Sequence, residues 1–255
     1  MFVDSHCHLT YEPLISNIPE ILQKCSESKV LTLLTIGTNI KSSTECSKIS
    51  KKYKNIYSSM GIHPVEAHVV TDRDSEIKTL YQSNSKNIGY GETGLDFFYS
   101  LEHKKRQIDL FEKHIEYAKE DSSTVIVHTR EADDATINII KNHSNNRNIR
   151  FLIHCFTGSL SFVRSLLNIG CYISFSGIVT FKNTIELQDV VKYVPLDSML
   201  IETDSPYLSP HPLRGKKNSP ENVLHVAKKI AELKKINLDE VGHKTSENFF
   251  KAFNI

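Results

Sequence analysis

Eight short β-rich apolar runs, each followed by a stretch with helical spacing, constrain what this chain can fold into more than any other feature of it. They fall at Phe2–Asp4, Leu31–Ile36, Ile56–Met60, Ile88–Gly91, Val125–Val127, Phe151–Ile153, Tyr172–Phe175 and Met199–Ile201. Between them, Arg106–Lys119 sets Ile108, Phe111, Ile115 and Ala118 at helical spacing, and Ser161–Gly170 ends in a glycine at a cap position. Ser219 and Pro220 read as the N-cap and first residue of a helix carrying Val223, Val226, Ala227, Ile230 and Leu233. Eight strands alternating with helices are the arithmetic of a closed barrel. The expected fold is therefore α/β, a TIM-like (β/α)8 barrel, and 255 residues is close to the length such a barrel needs.

The chemistry sits at the ends of those runs. His6 and His8 follow the first, and strand alternation projects positions i and i+2 to one side while Cys7 points away, which makes an imidazole pair ready to chelate a metal. The fifth and sixth runs lead into His128 and His154; the fourth leads into Glu92, the eighth into Glu202 and Asp204. Carboxyl ends of barrel strands face the active site, so His6, His8, Glu92, His128, His154 and Asp204 are expected to converge there. One metal ordinarily takes three or four protein ligands, so six such residues imply two divalent ions sharing a bridge. Glu92 suits the bridge because a carboxylate can give one oxygen to each ion. Mixed nitrogen and oxygen donors suit Zn²⁺, Mn²⁺, Fe²⁺ or Co²⁺ at least as well as Mg²⁺. Residues 6 and 204 can share a site only if the chain closes on itself, which commits residues 1–255 to a single domain.

Composition excludes several alternatives. With 39% hydrophobic and 24% charged residues the chain is neither disordered nor collagenous. Its longest apolar stretch, Val30–Gly37, is broken by Thr32 and Thr35 and is too short to span a bilayer, so no membrane association is expected. The beginning MFVDSHCHLT has no signal-peptide pattern, and five cysteines without a C-x-x-C suit a reducing compartment, so a cytoplasmic location is expected. A net charge of +1 argues against coating nucleic acid by charge alone.

The ordered motifs FVDSHCHL, GIHP at Gly61–Pro64, GETGLDFF at Gly91–Phe98, VIVHTREA at Val125–Ala132, HCFTGS at His154–Ser159, SGIVTFKN at Ser176–Asn183, and ETDSPYLSP followed by PLRGKKNSP cover essentially the whole chain. Together they resemble the TatD family of metal-dependent deoxyribonucleases, within the wider superfamily of amidohydrolase-like barrels. One departure is the Ser122–Thr124 segment, where the family often has a proline before the fifth strand. The resemblance implies hydrolysis of phosphodiester bonds in DNA by a metal-activated water, with Mg²⁺ or a similar ion, and the expected form is a 3′-5′ exonuclease on single-stranded or damaged DNA. By matching position it implies that His6, His8 and Asp204 hold one ion, His128 and His154 the other, and Glu92 both.

For that reaction Asp204 is the expected proton acceptor, joined in the catalytic set by Glu92 and by His63, which follows the third strand and is placed to donate to a phosphate or leaving oxygen. Arg130, Arg214 and Asn218, the last two in a loop with Lys216 and Lys217, are candidate substrate contacts, since a guanidinium fork matches two phosphate oxygens. Phe97, Phe98 and Tyr99 either cover the barrel mouth or stack on a base, and Glu202 is expected to orient a ligand. His114 and the remaining histidines receive no role. The partner is DNA, and the protein is expected to act as a monomer. The competing enzyme reading is hydrolysis of a small C–N or lactone substrate on the same dinuclear barrel. Many amidohydrolases of that superfamily bridge their ions with a carboxylated lysine where this chain has Glu92, and a binding protein without catalysis would not need all six ligands.

Overall fold

Each apolar run becomes a strand, and all eight lie parallel in one sheet in sequential order, β1 to β8. The strands are β1 (Phe2–Cys7), β2 (Val30–Ile36), β3 (Ile56–Met60), β4 (Asn87–Asp96), β5 (Thr124–Arg130), β6 (Arg150–Ile153), β7 (Tyr172–Phe175) and β8 (Met199–Ile201). Helices α1 (Ile18–Glu27), α2 (Ile40–Lys52), α3 (Glu76–Gln82), α4 (Lys104–Glu120), α5 (Asp133–His143), α6 (Leu160–Asn168) and α7 (Ile185–Tyr193) connect them in turn, and α8 (Val223–Lys234) and α9 (Leu238–Phe253) follow. The ring closes at its seam through a parallel bridge between Cys7 and Ser205, where the Asp204 N–H donates to His6 O (2.9 Å) and the His8 N–H to Ser205 O (2.7 Å). This computed structural model describes residues 1–69, 73–145 and 148–255. None of the described helices is long and apolar enough to cross a membrane.

Three strands, β1, β4 and β5, run further than their apolar runs suggest, and the first two carry an irregularity beside a candidate ligand. In β1, Asp4 pairs with Leu33 but Cys7 with Thr35, which leaves one extra residue in the Ser5–His6 stretch. In β4, Tyr90 pairs with Val125 but Thr93 with Val127, so the extra residue falls at Gly91–Glu92. Bulges of this kind re-aim side chains, and here they turn His6 and Glu92 toward the mouth. The β4 ladder tolerates no side chain at two points. A Cβ on Gly91 would lie 2.5 Å from Ile126 O and one on Gly94 only 2.1 Å from His128 O, and both residues have positive φ, 141° and 130°. Those glycines let β4 press against β5 and continue to Asp96, five residues beyond the run that ends at Gly91.

Inside the barrel, Val3, Leu34, Ile36, Ile88, Ile126, Leu152 and Leu200 pack with Phe249, Ala252 and Phe253 of α9. The C-terminal helix therefore plugs the amino-end opening, and its Asn248 amide donates to Leu196 O (2.7 Å) and Met199 O (2.8 Å) at the entry to β8. The periodicity of the sequence does not announce this helix. Gly170, at φ 80°, follows α6 as its cap pattern suggests. The helix expected from Ser219 starts later: a short 3-10 turn at Pro220–Asn222 comes first, and the Ser219 hydroxyl donates to the Glu221 carboxylate instead of capping the backbone.

Candidate metal centre

Glu92 occupies the middle of the carboxyl-end mouth, nearly fully buried, with its two oxygens facing different histidines. Oε2 lies 3.4 Å from His6 Nε2 and 4.0 Å from His8 Nε2. Oε1 lies 2.8 Å from His154 Nε2, 3.0 Å from His128 Nδ1 and 3.3 Å from His63 Nε2. Asp204 completes the first side, with Oδ1 3.2 Å from His8 Nε2 and 3.7 Å from His6 Nε2. The His6 and His154 rings stack at 4.0 Å between the two sides. All six residues expected to converge do so, drawn from β1, β4, β5 and the segments after β1, β6 and β8.

The donors fit divalent cations. Neither ring nitrogen of the buried His6 has a hydrogen-bond partner, nor does His8 Nδ1. Such groups are costly in an interior unless something else satisfies them. Three triads, His6–His8–Glu92, His63–Glu92–His128 and His6–His154–Glu202, each bring a ligand atom per residue within 4.8 Å of the others. Charge points the same way. Burial works to raise the Glu92 carboxyl, yet His154, His63 and His128 outweigh it and hold it well below the usual carboxylate range. Burial likewise works to lower His154, but Glu92 and Glu202 push it well above an ordinary imidazole. A concentrated carboxylate charge in contact with imidazoles attracts cations, and a metal that binds there displaces protons.

The surrounding residues divide into those that face the centre and those the loops use up. His63 accepts the Val65 N–H on Nδ1 (3.1 Å), so its neutral ring carries the proton on Nε2 and donates toward Glu92. Glu202 Oε1 sits 3.3 Å from His154 Nδ1 and orients that ring. Arg130 lines the cavity, about 790 Å³, that opens above Glu92, and its guanidinium lies 4.2 Å from the Phe98 ring centre and 4.4 Å from that of Tyr99. Phe97 is half-buried over Lys104 instead. Arg214 is exposed on the Phe181 ring, 3.8 Å away, and does not line the cavity.

Asn218 corrects the sequence reading. It is buried, its Nδ2 donates to Thr203 O (3.0 Å) and Tyr207 O (2.7 Å), and its Oδ1 accepts from Ser219 N–H and Asn222 Nδ2. The amide is spent holding the loop after β8 and has no hydrogen-bonding capacity left for a substrate.

Several residues at the centre escape sequence reasoning. Asp4, buried in β1, accepts from Thr203 N–H (2.9 Å) and the Thr203 hydroxyl (2.6 Å), which ties the first strand to the segment carrying Asp204. Tyr11 stacks on His8 at 5.1 Å, and Tyr207 meets both edge-on. Asp96 touches His128; the available signal was the alternation Glu92, Gly94, Asp96, which places all three on one strand face.

His114 has a role after all. From the buried face of α4 it accepts the Ile62 N–H on Nε2 (3.2 Å) and donates Nδ1–H to Leu110 O (2.7 Å), fixing the loop that presents His63. Burial lowers its pKa to about 4, against a smaller upward pull from the Leu110 carbonyl and Asp74, with Lys113 adding to the fall. A histidine kept neutral in the fold but free to protonate when unfolded stabilises fully above about pH 6.5 and loses that contribution as pH falls toward 4. Wild type should therefore lose about 2 kcal/mol more than His114→Gln between roughly pH 7 and 5 in urea titrations. Equal losses would show that His114 titrates normally.

A barrel whose carboxyl-end mouth gathers imidazoles around one buried carboxylate defines a class, the metal-dependent hydrolases. Comparison with known proteins narrows it. The model of the TatD related DNase family matches residues 3–254. A metal-dependent hydrolase of Buchnera aphidicola subsp. Acyrthosiphon pisum is 41% identical over 264 residues, covering 99% of each chain. YcfH of Escherichia coli K12, also named a metal-dependent hydrolase, is 38% identical over 99% of this chain and 96% of its own. The crystal structure of YJJV, a TatD homolog from Escherichia coli K12, matches with a TM-score of 0.94 at 26% identity, covering 100% of this chain and 98% of that one. The chain belongs to the TatD family and is a metal-dependent hydrolase.

Proposed function

We propose that this hydrolase is a deoxyribonuclease that cleaves phosphodiester bonds in DNA, trimming single-stranded or damaged strands from the 3′ end, with two divalent ions shared through Glu92. The observation that carries the reading is the division of the Glu92 oxygens, one toward His6 and His8 and one toward His128 and His154, at the floor of a cavity rimmed by Arg130 and aromatic rings. Bound there, divalent ions supply a lowered water pKa and charge neutralisation at the phosphate.

The chain's own groups do the rest. Asp204 keeps about 15% of its side chain open to the cavity and accepts the proton of the attacking water. His63 Nε2–H, on the opposite side of Glu92, donates to the leaving oxygen. Arg130, held between two rings, offers a fork to a neighbouring phosphate, and Tyr99, Tyr11 and Tyr207 offer faces to the bases. With a net charge of +1 the grip is local, so binding loses only a little affinity with added salt.

An end-labelled single-stranded oligonucleotide tests this, with chelation followed by add-back of Mg²⁺, Mn²⁺ or Zn²⁺. Asp204→Asn should bind the oligonucleotide as wild type does and cleave it about 10²–10⁴-fold more slowly. Near-normal turnover would remove Asp204 from the proton-accepting role. A wild-type protein inactive on every nucleic acid with every metal would hand the centre to a small C–N or lactone substrate.

A further inference from the structure

Asp96, the last residue of β4, is 1% exposed, and its carboxylate is surrounded by three donors. Oδ2 lies 3.2 Å from His128 Nε2. Oδ1 accepts the backbone N–H of Phe98 (3.0 Å) and of Tyr99 (2.7 Å). The Asp96 backbone is pinned as well: its N–H donates to Gln107 Oε1 (2.8 Å), while Gln107 Nε2 donates to Asp96 O (3.1 Å) and Ser100 O (2.6 Å). The two residues held by Oδ1 are those whose rings, 50% and 63% exposed, flank the Arg130 guanidinium. One buried carboxylate thus joins a candidate ligand of the centre to the platform at its rim.

We propose that Asp96 is a positioning residue with two tasks: it selects the His128 tautomer that directs a lone pair at the centre, and it builds the Phe98–Arg130–Tyr99 platform. The His128 ring stands between two carboxylates that only accept hydrogen bonds, Asp96 Oδ2 at Nε2 and Glu92 Oε1 at Nδ1, so a cation held at Glu92 would take the Nδ1 lone pair and leave the ring proton on Nε2, facing Asp96. Nδ1 is then left unprotonated, 3.0 Å from Glu92 Oε1 and 3.3 Å from His154 Nε2, where a cation would be held. A carboxylate behind the ring also strengthens the imidazole as a donor to a metal. Because the two oxygens belong to one rigid group, the ring cannot turn without disturbing the loop that carries Phe98 and Tyr99. The inference rests on His128 being a ligand and is independent of what the enzyme hydrolyses.

Asp96→Asn separates the tasks. Its amide oxygen can still accept from Phe98 and Tyr99, but its NH₂ must face His128 Nε2, which moves the ring proton to Nδ1. In Zn²⁺-loaded protein, nitrogen-15 shifts of the His128 ring should show a protonated Nε2 and a metal-bound Nδ1 in wild type, and a ring with its proton on Nδ1 in Asp96→Asn. Zn²⁺ titrated into chelator-stripped samples should bind its weaker site about 10–100-fold less tightly in the variant, the usual cost of losing a group that orients a metal-bound histidine. Amide exchange at Phe98 and Tyr99 should stay slow in Asp96→Asn and become fast in Asp96→Ala. An unchanged His128 tautomer or unchanged Zn²⁺ affinity in Asp96→Asn overturns the first task, and slow exchange in Asp96→Ala overturns the second. None of these readouts uses nucleic acid, so a failure of the deoxyribonuclease reading leaves them intact.

Discussion

Glu92→Gln should slow hydrolysis by about 10³-fold or more, the scale of losing a preorganised charge from a transition-state site, while the barrel stays folded. Glutamine has the shape of glutamate but only one accepting oxygen, and its NH₂ is a donor. Whichever way the amide turns, that NH₂ faces imidazole nitrogens: His6 and His8 on one side at 3.4 and 4.0 Å, or His154 and His128 on the other at 2.8 and 3.0 Å. One half of the centre keeps an oxygen donor and the other acquires a group that cannot ligate. One of the negative charges at the site is lost with it, leaving Asp204 as the carboxylate on the His6 and His8 side. Turnover of an end-labelled oligonucleotide and elemental analysis of the purified variant measure the two consequences together, with the metal content expected to fall to half or less of that of wild type. Turnover within about tenfold of wild type would mean that Glu92 is only a structural partner of the histidines around it. A circular dichroism spectrum matching wild type guards against misreading a folding defect as lost chemistry.

The contrast between Glu92 and Asp96 shows where the sequence becomes unreadable. Glu92 ends an apolar run, and an apolar run that meets a charged residue at the carboxyl end of a barrel strand points to the site directly. The same rule makes His128, His154 and Asp204 legible, and strand alternation gives the pair His6 and His8. Asp96 lies beyond the run because β4 continues through a bulge at Gly91–Glu92 that depends on the neighbouring strand, so the alternation Glu92, Gly94, Asp96 marks a shared face without announcing that the strand reaches that far. Loop residues fail for a different reason. Asn218 and Arg214 have the right chemistry for phosphate, but the folded backbone engages the first through Thr203 O and Tyr207 O, and the Phe181 ring props the second outside the cavity. Helix α9 is hidden because much of its buried face consists of Gly242, Thr245, Ser246 and Asn248, which weakens the apolar repeat that would mark it. Its core-facing message is carried by Val241, Phe249, Ala252 and Phe253, with the partly buried Leu238 at its start.

With so small an apolar set holding α9 in the barrel, Phe249→Ala should cost roughly 3–5 kcal/mol. The Phe249 ring is fully buried in the inner core with Val3, Leu34, Ile36, Ile126, Leu152 and Leu200, and packs 4.9 Å from the Phe253 ring and 6.4 Å from that of Tyr57. Strand side chains fixed by sheet hydrogen bonds on all sides cannot collapse into the space a benzyl group leaves, so most of the cavity penalty should persist. For a chain of this size the loss corresponds to a fall in Tm of about 10 °C. Phe250, one residue on and 37% exposed, supplies the control: Phe250→Ala should change stability by no more than about 1 kcal/mol. Because Phe249 sits at the amino ends of the strands and the metal centre at their carboxyl ends, Phe249→Ala should retain wild-type metal content and turnover well below its lowered Tm. A Tm within about 3 °C of wild type would mean that α9 rests on the barrel without plugging it. A variant that melts as expected but also loses its metals at low temperature would mean instead that the two ends of the barrel are mechanically linked through β1, whose Val3 meets the plug and whose His6 meets the centre.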